Sequence, residues 1–183
     1  KSIVKNIKNI EFVVFSDYDK GFLTNDNIPK ILQIIKQKKN IKIFVDSKRK
    51  NLEIYKDVYL IKINNNEACD YFKINDVYNK LNYKKIFTFL KQNKIENLII
   101  TTGKNGAILF KKNNFYYSLT KYKKEIYDVS GAGDTFLSYL VVGHIFKLNI
   151  KKAISLANHA SLLAVSRYGI SSISKKDLWD TKT

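Results

Sequence analysis

The stretch YDVSGAGDTFLSYL, residues 127–140, places two glycines and an aspartate directly before an apolar run. Gly131 and Gly133 allow a tight turn of the backbone, and the spacing of the apolar residues from 136 to 141 indicates that a helix follows at once. At the start of a helix the first amides lack partners within the helix, and the helix dipole is positive. The turn is therefore predicted to bind an anion, with phosphate the most favoured.

Asp134 lies within this predicted anion site. Its carboxylate could accept a proton from a hydroxyl group that attacks a phosphoryl group bound by the neighbouring amides. The alternative is that Asp134, or Ser130, only caps the helix, as these residue types do at many helix starts. Two common phosphate loops do not fit, because the turn lacks the lysine of GxxxxGK(S/T) and has Phe136 in place of the third glycine of GxGxxG.

Outside this turn, short apolar runs rich in Val, Ile and Phe alternate with segments of helical period. The alternation predicts parallel strands joined by crossover helices, and so an α/β fold with a mostly parallel sheet and helices on both faces. Two further runs, at 106–110 and 115–119, flank the polar KKNN and predict an antiparallel hairpin at one edge of the sheet. The strand predictions cover residues 11–15, 41–45, 58–63 and 97–102.

Apolar residues at helical spacing predict the helices. The first is capped by Asn25 or Asp26 and has Pro29 in its first turn. The last contains four alanines at a spacing that lets another backbone or a flat ligand approach closely, although core packing would explain them equally well. These alanines are Ala153, Ala157, Ala160 and Ala164, in the helix predicted over residues 150–167. Two other predicted helices cover residues 83–94 and 134–147.

The composition favours one globular domain over residues 1–183, since 183 residues with 45% hydrophobic side chains are enough for one core. The formal net charge of +17 would ordinarily suggest a nucleic acid or an anionic membrane as partner. Here nearly all of the positive charge is lysine, placed singly or in pairs, with arginine only at Arg49 and Arg167. Solvated helix faces explain this pattern better, so neither partner is expected.

Cysteine and histidine usage argues against a structural metal site. Cys69 is the single cysteine, and neither it nor His144 and His159 has neighbours at metal-ligand spacing, so no zinc site is expected. No apolar run approaches the roughly 18 residues that span a bilayer, and the first residues lack the features of a signal peptide. The chain is therefore expected to be cytoplasmic.

The string DVSGAGDTF, residues 128–136, resembles the C-terminal signature of the ribokinase-like, or pfkB, family of carbohydrate kinases. The resemblance implies a ribokinase-like three-layer sandwich that transfers a phosphoryl group from ATP to a sugar hydroxyl. It also implies that Asp134 is the catalytic base and that the amides of Gly131, Ala132 and Gly133 form the anion hole. Asp128 would help to form the monovalent-cation (K⁺) site that is common in the family.

Three further stretches resemble the nucleotide-binding parts of this family. NNNE, residues 64–67, is similar to the family's N-x-x-E motif, which helps to hold the Mg²⁺-bound nucleotide phosphates, so Glu67 is also a predicted metal residue. TTGKNGAILF, at 101–110, is similar to the nucleotide-side strand and glycine turn, and LANHASLLAV, at 156–165, has an asparagine near the predicted adenine pocket. The nucleotide-binding residues implied by these matches are Asn64, Asn65, Asn66, Glu67, Thr102, Gly103, Gly106 and Asn158.

Each of these matches has a structural alternative. NNNE after a strand is by itself a turn and a helix cap. Gly103 and Gly106 could serve only a hairpin, and Asn158 could only pack or cap. The combination with the GAGD turn favours the nucleotide site.

Within the family, FSDYDKGFLT (15–24) and VDSKRKNLEIY (45–55) look most like the heptose-7-phosphate kinase domain of bacterial ADP-heptose synthesis proteins. This likeness implies that the acceptor is a small sugar phosphate, a heptose 7-phosphate. It also implies substrate contacts from Asp17, Lys20 and Lys48, which lie at or just after strand ends. Each of these charges could instead belong to a surface turn.

The chain also departs from the family pattern. Ser47 stands in place of a proline, and Lys62-Ile63 in place of Thr-Pro. The resemblance runs from about residue 12 to residue 174, so a partial kinase domain is expected, without the N-terminal half and the lid through which family members often form homodimers. The alternatives are another pfkB sugar or sugar-phosphate kinase, an inactive nucleotide-binding remnant and, less favoured, a basic nucleic-acid-binding protein.

Overall fold

A computed structural model describes residues 10–120, 129–167 and 173–174 and contains a six-stranded sheet. The strands lie side by side in the order in which they occur along the chain. Each predicted strand is present, with bounds that differ from the prediction by one or two residues. The strands are β1 (Phe12–Asp17), β2 (Lys42–Ser47), β3 (Leu60–Asn64), β4 (Asn97–Thr101), β5 (Ala107–Lys111) and β6 (Asn114–Ser118).

The first three strands are parallel. β1 pairs with β2 and β2 with β3, in a register that places Asp17 opposite Ser47 and Asp46 opposite Lys62. Because the carboxyl ends of parallel strands meet at one edge of a sheet, this register brings polar residues from distant parts of the sequence together at that edge. Of the predicted substrate residues, Asp17 ends β1 and Lys48 directly follows the end of β2.

The last strands reverse direction. Only residues 102–106 join β4 to β5, and only residues 112–113 join β5 to β6. Both connections are far shorter than the dozen or so residues that a parallel crossover needs, so β5 runs antiparallel to both neighbours. The predicted edge hairpin is confirmed, and the sheet is mixed and mostly parallel.

In the part of the chain that the structure describes, five α-helices accompany the sheet: α1 (Asn27–Lys36), α2 (Asn65–Phe72), α3 (Tyr83–Asn93), α4 (Ala132–Ile145) and α5 (Ile150–Val165). In α1 the predicted apolar face is buried through Ile28, Leu32 and Ile35. Asp26 occupies the predicted cap position, but its side chain makes no cap hydrogen bond. Instead Thr24 and Asn27 bond each other, the Thr24 amide to Asn27 Oδ1 at 2.8 Å and the Asn27 amide to Thr24 Oγ1 at 3.1 Å.

By its internal contacts the chain divides into two compact units. Unit 1 comprises Lys1–Ile100 and Leu109–Phe115, and unit 2 comprises Thr101–Ile108 and Tyr116–Thr183. In unit 1 the core includes the fully buried strand residues Phe44, Leu60, Ile61, Ile63, Leu98 and Ile99. The single domain over residues 1–183 stays a prediction.

Small residues set the packing of α4 against α5 in unit 2. A Cβ atom added to Gly143 would lie 2.8 Å from the Cβ of Ala153, which is fully buried. The predicted close approach at the alanines is therefore confirmed at Ala153, where another backbone comes near. Within the described ranges, no helix combines the length and the apolar character needed to cross a membrane.

Candidate functional site

Asp17, a predicted substrate residue, ends β1 in unit 1 and is only 3% exposed. Its Oδ2 accepts hydrogen bonds from the Tyr55 hydroxyl at 2.6 Å and from Arg49 Nε at 2.5 Å. Ser47 Oγ donates to the same oxygen at 3.4 Å, and the amide of Asp19 donates to Oδ1 at 3.0 Å. The carboxylate is thus surrounded by donors from this chain, and its contact with a substrate stays a prediction.

These donors decide the charge state of Asp17. Burial by itself raises the pKa of Asp17, but the hydrogen bonds from Tyr55, the Asp19 amide and Arg49, together with the Arg49 charge, outweigh burial and lower the pKa. For Tyr55, burial and then the bond to Asp17 raise the pKa. Asp17 is therefore a carboxylate and Tyr55 a protonated donor at neutral pH.

Arg49 extends this cluster to the loop that follows β1. Its guanidinium also bonds Asp19 Oδ1 at 2.8 Å, the carbonyl oxygen of Leu23, and Asn25 Oδ1 at 3.4 Å. Lys20, a predicted substrate residue, lies exposed in the same loop. Arg49 was not among the predicted site residues, although an arginine in a chain whose basic residues are nearly all lysine is a usable signal.

Asp46 and Lys62 form a buried ion pair next to this cluster. Lys62 Nζ lies 2.5 Å from Asp46 Oδ2, and Lys62 is only 1% exposed. Among the described residues Asp46 Oδ1 has no hydrogen-bond partner. A lysine within a buried strand requires an opposite charge such as that of Asp46, because an unpaired buried charge is strongly destabilising. Lys62 was not among the predicted site residues, and its position inside an apolar run was the available signal.

The predicted N-x-x-E residues form the N-terminus of α2. Asn64 Oδ1 accepts from the Glu67 amide at 2.9 Å and Glu67 Oε2 accepts from the Asn64 amide at 2.7 Å, which is a capping box. Asn65 and Asn66 occupy the first turn. The alternative interpretation of this motif as a helix cap is therefore correct. The cap does not prevent the exposed parts of the same side chains from having a second role.

Lys48 connects this cap to the end of β2. Its Nζ lies 2.7 Å from Glu67 Oε1. Burial lowers the pKa of Lys48, but the hydrogen bond and the charge of Glu67 outweigh burial, so the pKa is raised and the ammonium is kept. Lys48 and Glu67 lie on the wall of a broad, open cleft of about 1290 Å³ in unit 1, together with Arg49, Lys84 and Lys85.

The residues predicted to hold a metal are Glu67 and Asp128. Asp128 lies outside the described residues. Both Glu67 oxygens already accept a hydrogen bond, and one of them faces the Lys48 ammonium. Among the residues that the structure describes, no three His, Cys, Asp or Glu side chains form a group that could hold a metal ion. Glu67 therefore fits a hydrogen bond to a metal-bound water better than direct coordination.

In unit 2 the glycine turn adopts the predicted form. Gly131 caps α4 in the left-handed region, with φ of 74°, and the Thr135 amide closes the first helical turn on the Gly131 carbonyl at 2.8 Å. The helix begins at Ala132, two residues before the predicted start, so Asp134 is its third residue and is exposed. The Ala132 amide donates to the Val129 carbonyl at 3.2 Å. This amide is therefore less available to an anion than the prediction assumed.

A cleft of about 280 Å³ in unit 2 is lined by three of the eight predicted nucleotide-binding residues and by two residues of the glycine turn. Thr102 is not on its wall, but its Oγ1 donates to the Gly106 carbonyl at 3.1 Å and so helps to shape the glycine turn. Apolar walls with a few polar groups are typical of small-molecule sites. The wall includes the predicted Gly103, Gly106, Ala132, Gly133 and Asn158, and the apolar Phe136, Leu162 and Val165.

Asn158 has a structural task at this cleft. Its Nδ2, on α5, donates to the Ser118 carbonyl at 2.9 Å and to Ser118 Oγ at 3.0 Å, at the end of β6. Ser161, one turn later, donates from Oγ to the Ala132 carbonyl at 3.0 Å. α5 thereby holds both the end of the hairpin and the start of α4, which are the two sides of the cleft.

The fold has close counterparts among solved structures. The chain is similar to Arabidopsis thaliana ribokinase complexed with ribose and ATP, with a TM-score of 0.84 and 14% identity, covering 98% of this chain and 58% of that one. It is also similar to phosphofructokinase-2 from Escherichia coli in complex with potassium, with a TM-score of 0.82 and 15% identity, covering 98% and 59%. The predicted ribokinase-like α/β fold is confirmed.

Sequence relatives agree with the fold. The bifunctional protein HldE of Aliarcobacter butzleri is 30% identical over 180 residues, which cover 98% of this chain and 37% of that protein. HldE of a Nitratiruptor species is 31% identical over 173 residues, covering 94% and 36%. The chain thus spans about a third of the length of these relatives. The profile of the pfkB family carbohydrate kinases matches residues 1–177, and the chain therefore belongs to the pfkB family of carbohydrate kinases.

Proposed function

We propose that this protein transfers the γ-phosphoryl group of ATP to the hydroxyl of a small sugar or sugar phosphate. The observation that carries the proposal is the glycine turn at the start of α4, which borders the 280 Å³ cleft and presents Asp134 in the first helical turn. A helix N-terminus of this kind favours a phosphate. The bound ATP of the Arabidopsis ribokinase supports the same ligand here.

In the proposed reaction Asp134 removes the proton from the acceptor hydroxyl. The freed oxygen forms a bond to the γ-phosphorus, the bond between that phosphorus and the β-phosphate oxygen breaks, and ADP leaves with the electron pair. The amide of Gly133, at the second position of α4, supports the charge on the transferred group. Asn158 and the apolar wall of the cleft hold the adenine, consistent with a reaction that depends mainly on positioning and electrostatics.

Metal ions complete the proposal. Mg²⁺ would neutralise part of the phosphate charge during transfer. Glu67 is the described residue that would hold it, through a bound water, while Lys48 keeps the carboxylate in place at 2.7 Å. A K⁺ site near Asp128 stays a prediction, and the potassium-containing phosphofructokinase-2 structure supports it.

The proposed acceptor is D-glycero-D-manno-heptose 7-phosphate, phosphorylated at its anomeric hydroxyl on the way to ADP-heptose, a precursor of the lipopolysaccharide core. The support is the likeness to HldE proteins at about 30% identity and the cationic side chains of Lys20 and Lys48 near the strand ends. Another sugar phosphate accepted by the pfkB family is the alternative. A cytoplasmic location and homodimerisation of the intact protein stay predictions.

The test is ADP release with heptose 7-phosphate, fructose 6-phosphate and ribose as acceptors, for the wild type and Asp134→Asn. We expect at least a thousandfold loss of turnover in Asp134→Asn, with Mg-ATP affinity by calorimetry changed less than threefold. The control is Asp26→Asn, which alters an exposed aspartate at the start of α1 that makes no cap hydrogen bond. Wild-type turnover in Asp134→Asn, or ATP binding without any ADP release by the wild type, would refute the proposal.

A further inference from the structure

We propose that Arg49 is a positioning residue that fixes the loop of residues 18–25, and with it Lys20, at the carboxyl end of β1. The inference deepens the proposed function, because it assigns to Arg49 the placement of a predicted acceptor-binding lysine. It requires no contact between Arg49 and the acceptor itself. The contacts of the guanidinium, the backbone of the loop and the choice of arginine each support it.

The contacts join one side chain to four points on the neighbouring segment. Arg49 Nε bonds Asp17 Oδ2 at 2.5 Å, and Nη1 bonds Asp19 Oδ1 at 2.8 Å and Asn25 Oδ1 at 3.4 Å. The remaining nitrogen, Nη2, donates to the Leu23 carbonyl. The Arg49 side chain is 9% exposed and that of Asp17 is 2% exposed, so the bond between them forms largely out of water and is stronger than a surface contact.

The loop needs such support because its backbone is unfavourable and its apolar anchoring is weak. Asp19 has φ of 54°, in the left-handed region that a residue with a Cβ atom adopts only at a cost. Phe22 is 89% exposed, so its ring does not hold the loop to a core. Polar bonds must therefore keep its first part in place.

Arg49 is itself held by other residues of the chain. Its amide donates to Ser47 Oγ at 3.1 Å, and the Lys48 amide donates to the Asp17 carbonyl at 2.9 Å. Tyr55, fully buried, fixes the Asp17 carboxylate from another direction at 2.6 Å. The loop is thus attached to a prearranged group rather than to a free surface side chain.

The residue type is also informative. Arg49 and Arg167 are the only arginines among 33 basic residues. A lysine would preserve the charge, but its single ammonium cannot reach acceptors on several sides at once, whereas the planar guanidinium offers five N–H donors. Arg49→Lys therefore separates the positioning role from the charge.

The first test is amide hydrogen exchange in the full 183-residue chain, with Arg49→Lys, Arg49→Ala and the control Lys50→Ala. Lys50 is an exposed neighbour in the same segment. The reporter is the Asp19 amide, which bonds Asp17 Oδ1, and the reference is the Glu67 amide in the α2 cap. We expect at least tenfold faster exchange at Asp19 in Arg49→Lys, with Glu67 and the Lys50→Ala chain unchanged. Equal exchange at Asp19 in the wild type and Arg49→Lys would overturn the inference.

The second test is kinetic and links the loop to the acceptor. In the ADP-release assay, Arg49→Lys is expected to raise the KM for the sugar phosphate at least tenfold while the KM for ATP stays within twofold. A purely structural defect would change both. If Arg49→Lys loosens the loop without changing the acceptor KM, the inference is wrong while the kinase proposal stands. A wild type without ADP release refutes the kinase proposal, and the exchange comparison then decides whether Arg49 holds the loop.

Discussion

At the scale of single residues, the ionised carboxylate of Asp17 connects stability to the candidate site. Burial alone would favour its neutral form, yet the donors from Tyr55, the Asp19 amide and Arg49 reverse that preference. Removing a partner from such a buried network leaves a desolvated group without a hydrogen bond. The resulting loss of folding stability is larger than the stability that one surface contact contributes. The network therefore stabilises the strand end only while Asp17 is charged.

The stability of the protein should accordingly depend on pH through Asp17. Its pKa is lowered on folding from the ordinary 3.8, so its contribution is complete above about pH 4 and disappears as the pH falls through the lower folded value. We expect Asp17→Asn to lower the free energy of unfolding by about 2–4 kcal/mol at pH 7 and to match the wild type more closely near pH 2. Urea denaturation at both pH values measures this difference.

The matched variant is Asp26→Asn, whose side chain makes no cap bond on α1. It should change the unfolding free energy by less than about 0.5 kcal/mol at either pH. If the stability difference between the wild type and Asp17→Asn were the same at pH 7 and at pH 2, the charge of Asp17 would not be the source of its stabilisation.

At the scale of elements, the turn before β5 is tightly constrained. Gly106 has φ of 95°, and an added Cβ atom would lie 2.1 Å from the Ser118 carbonyl oxygen and 3.0 Å from the Thr120 amide nitrogen. The Ser118 carbonyl cannot easily move away, because Asn158 holds it at 2.9 Å. Gly103, three residues earlier, has φ of 60° but open space around it.

This contrast predicts different costs for the same substitution. Gly106→Ala should destabilise the chain by more than about 2 kcal/mol, since backbone atoms must shift, and Gly103→Ala by about 1 kcal/mol from the left-handed backbone alone. Thermal unfolding of the two variants beside the wild type measures both effects. Equal losses would mean that the backbone conformation, and not crowding at Ser118, makes glycine necessary at position 106.

Local patterns in the sequence predicted most of the elements. The strand and helix predictions agree with the structure to within about two residues, because alternation and helical spacing follow directly from which side chains are buried. Two errors concern helix starts, where hydrogen bonds rather than periodicity decide. The predicted cap at Asn25 or Asp26 was replaced by the Thr24–Asn27 pair, and α4 begins at Ala132 because the left-handed Gly131 ends the preceding turn.

At the scale of the whole molecule, the net charge of +17 opposes folding. Like charges repel in the folded chain, and salt screens the repulsion over a Debye length of about 10 Å at 0.1 M. The ion pairs that matter most, Arg49–Asp17 and Lys62–Asp46, are buried and respond less to salt. Screening should therefore remove more repulsion than attraction.

Raising the salt concentration is consequently expected to stabilise the protein. Between 20 mM and 300 mM NaCl we expect a gain of about 1 kcal/mol, or roughly 2–4 °C in Tm for a chain of this size. Choline chloride is the control, because an equal rise with both salts identifies screening rather than the binding of a particular cation. A Tm that falls with salt would show that surface ion pairs dominate.

The sequence by itself determined most of the secondary structure, the glycine turn before α4 and the family, because each is encoded in contiguous residues or in a local repeat of side-chain burial. Only the tertiary structure decided which charges are buried together. Asp17 lies 32 residues from Arg49 and 38 residues from Tyr55 along the chain. Lys62 reaches Asp46 from the next strand. Strand register creates these contacts, and no local pattern specifies the distance between side chains or the loss of water around them.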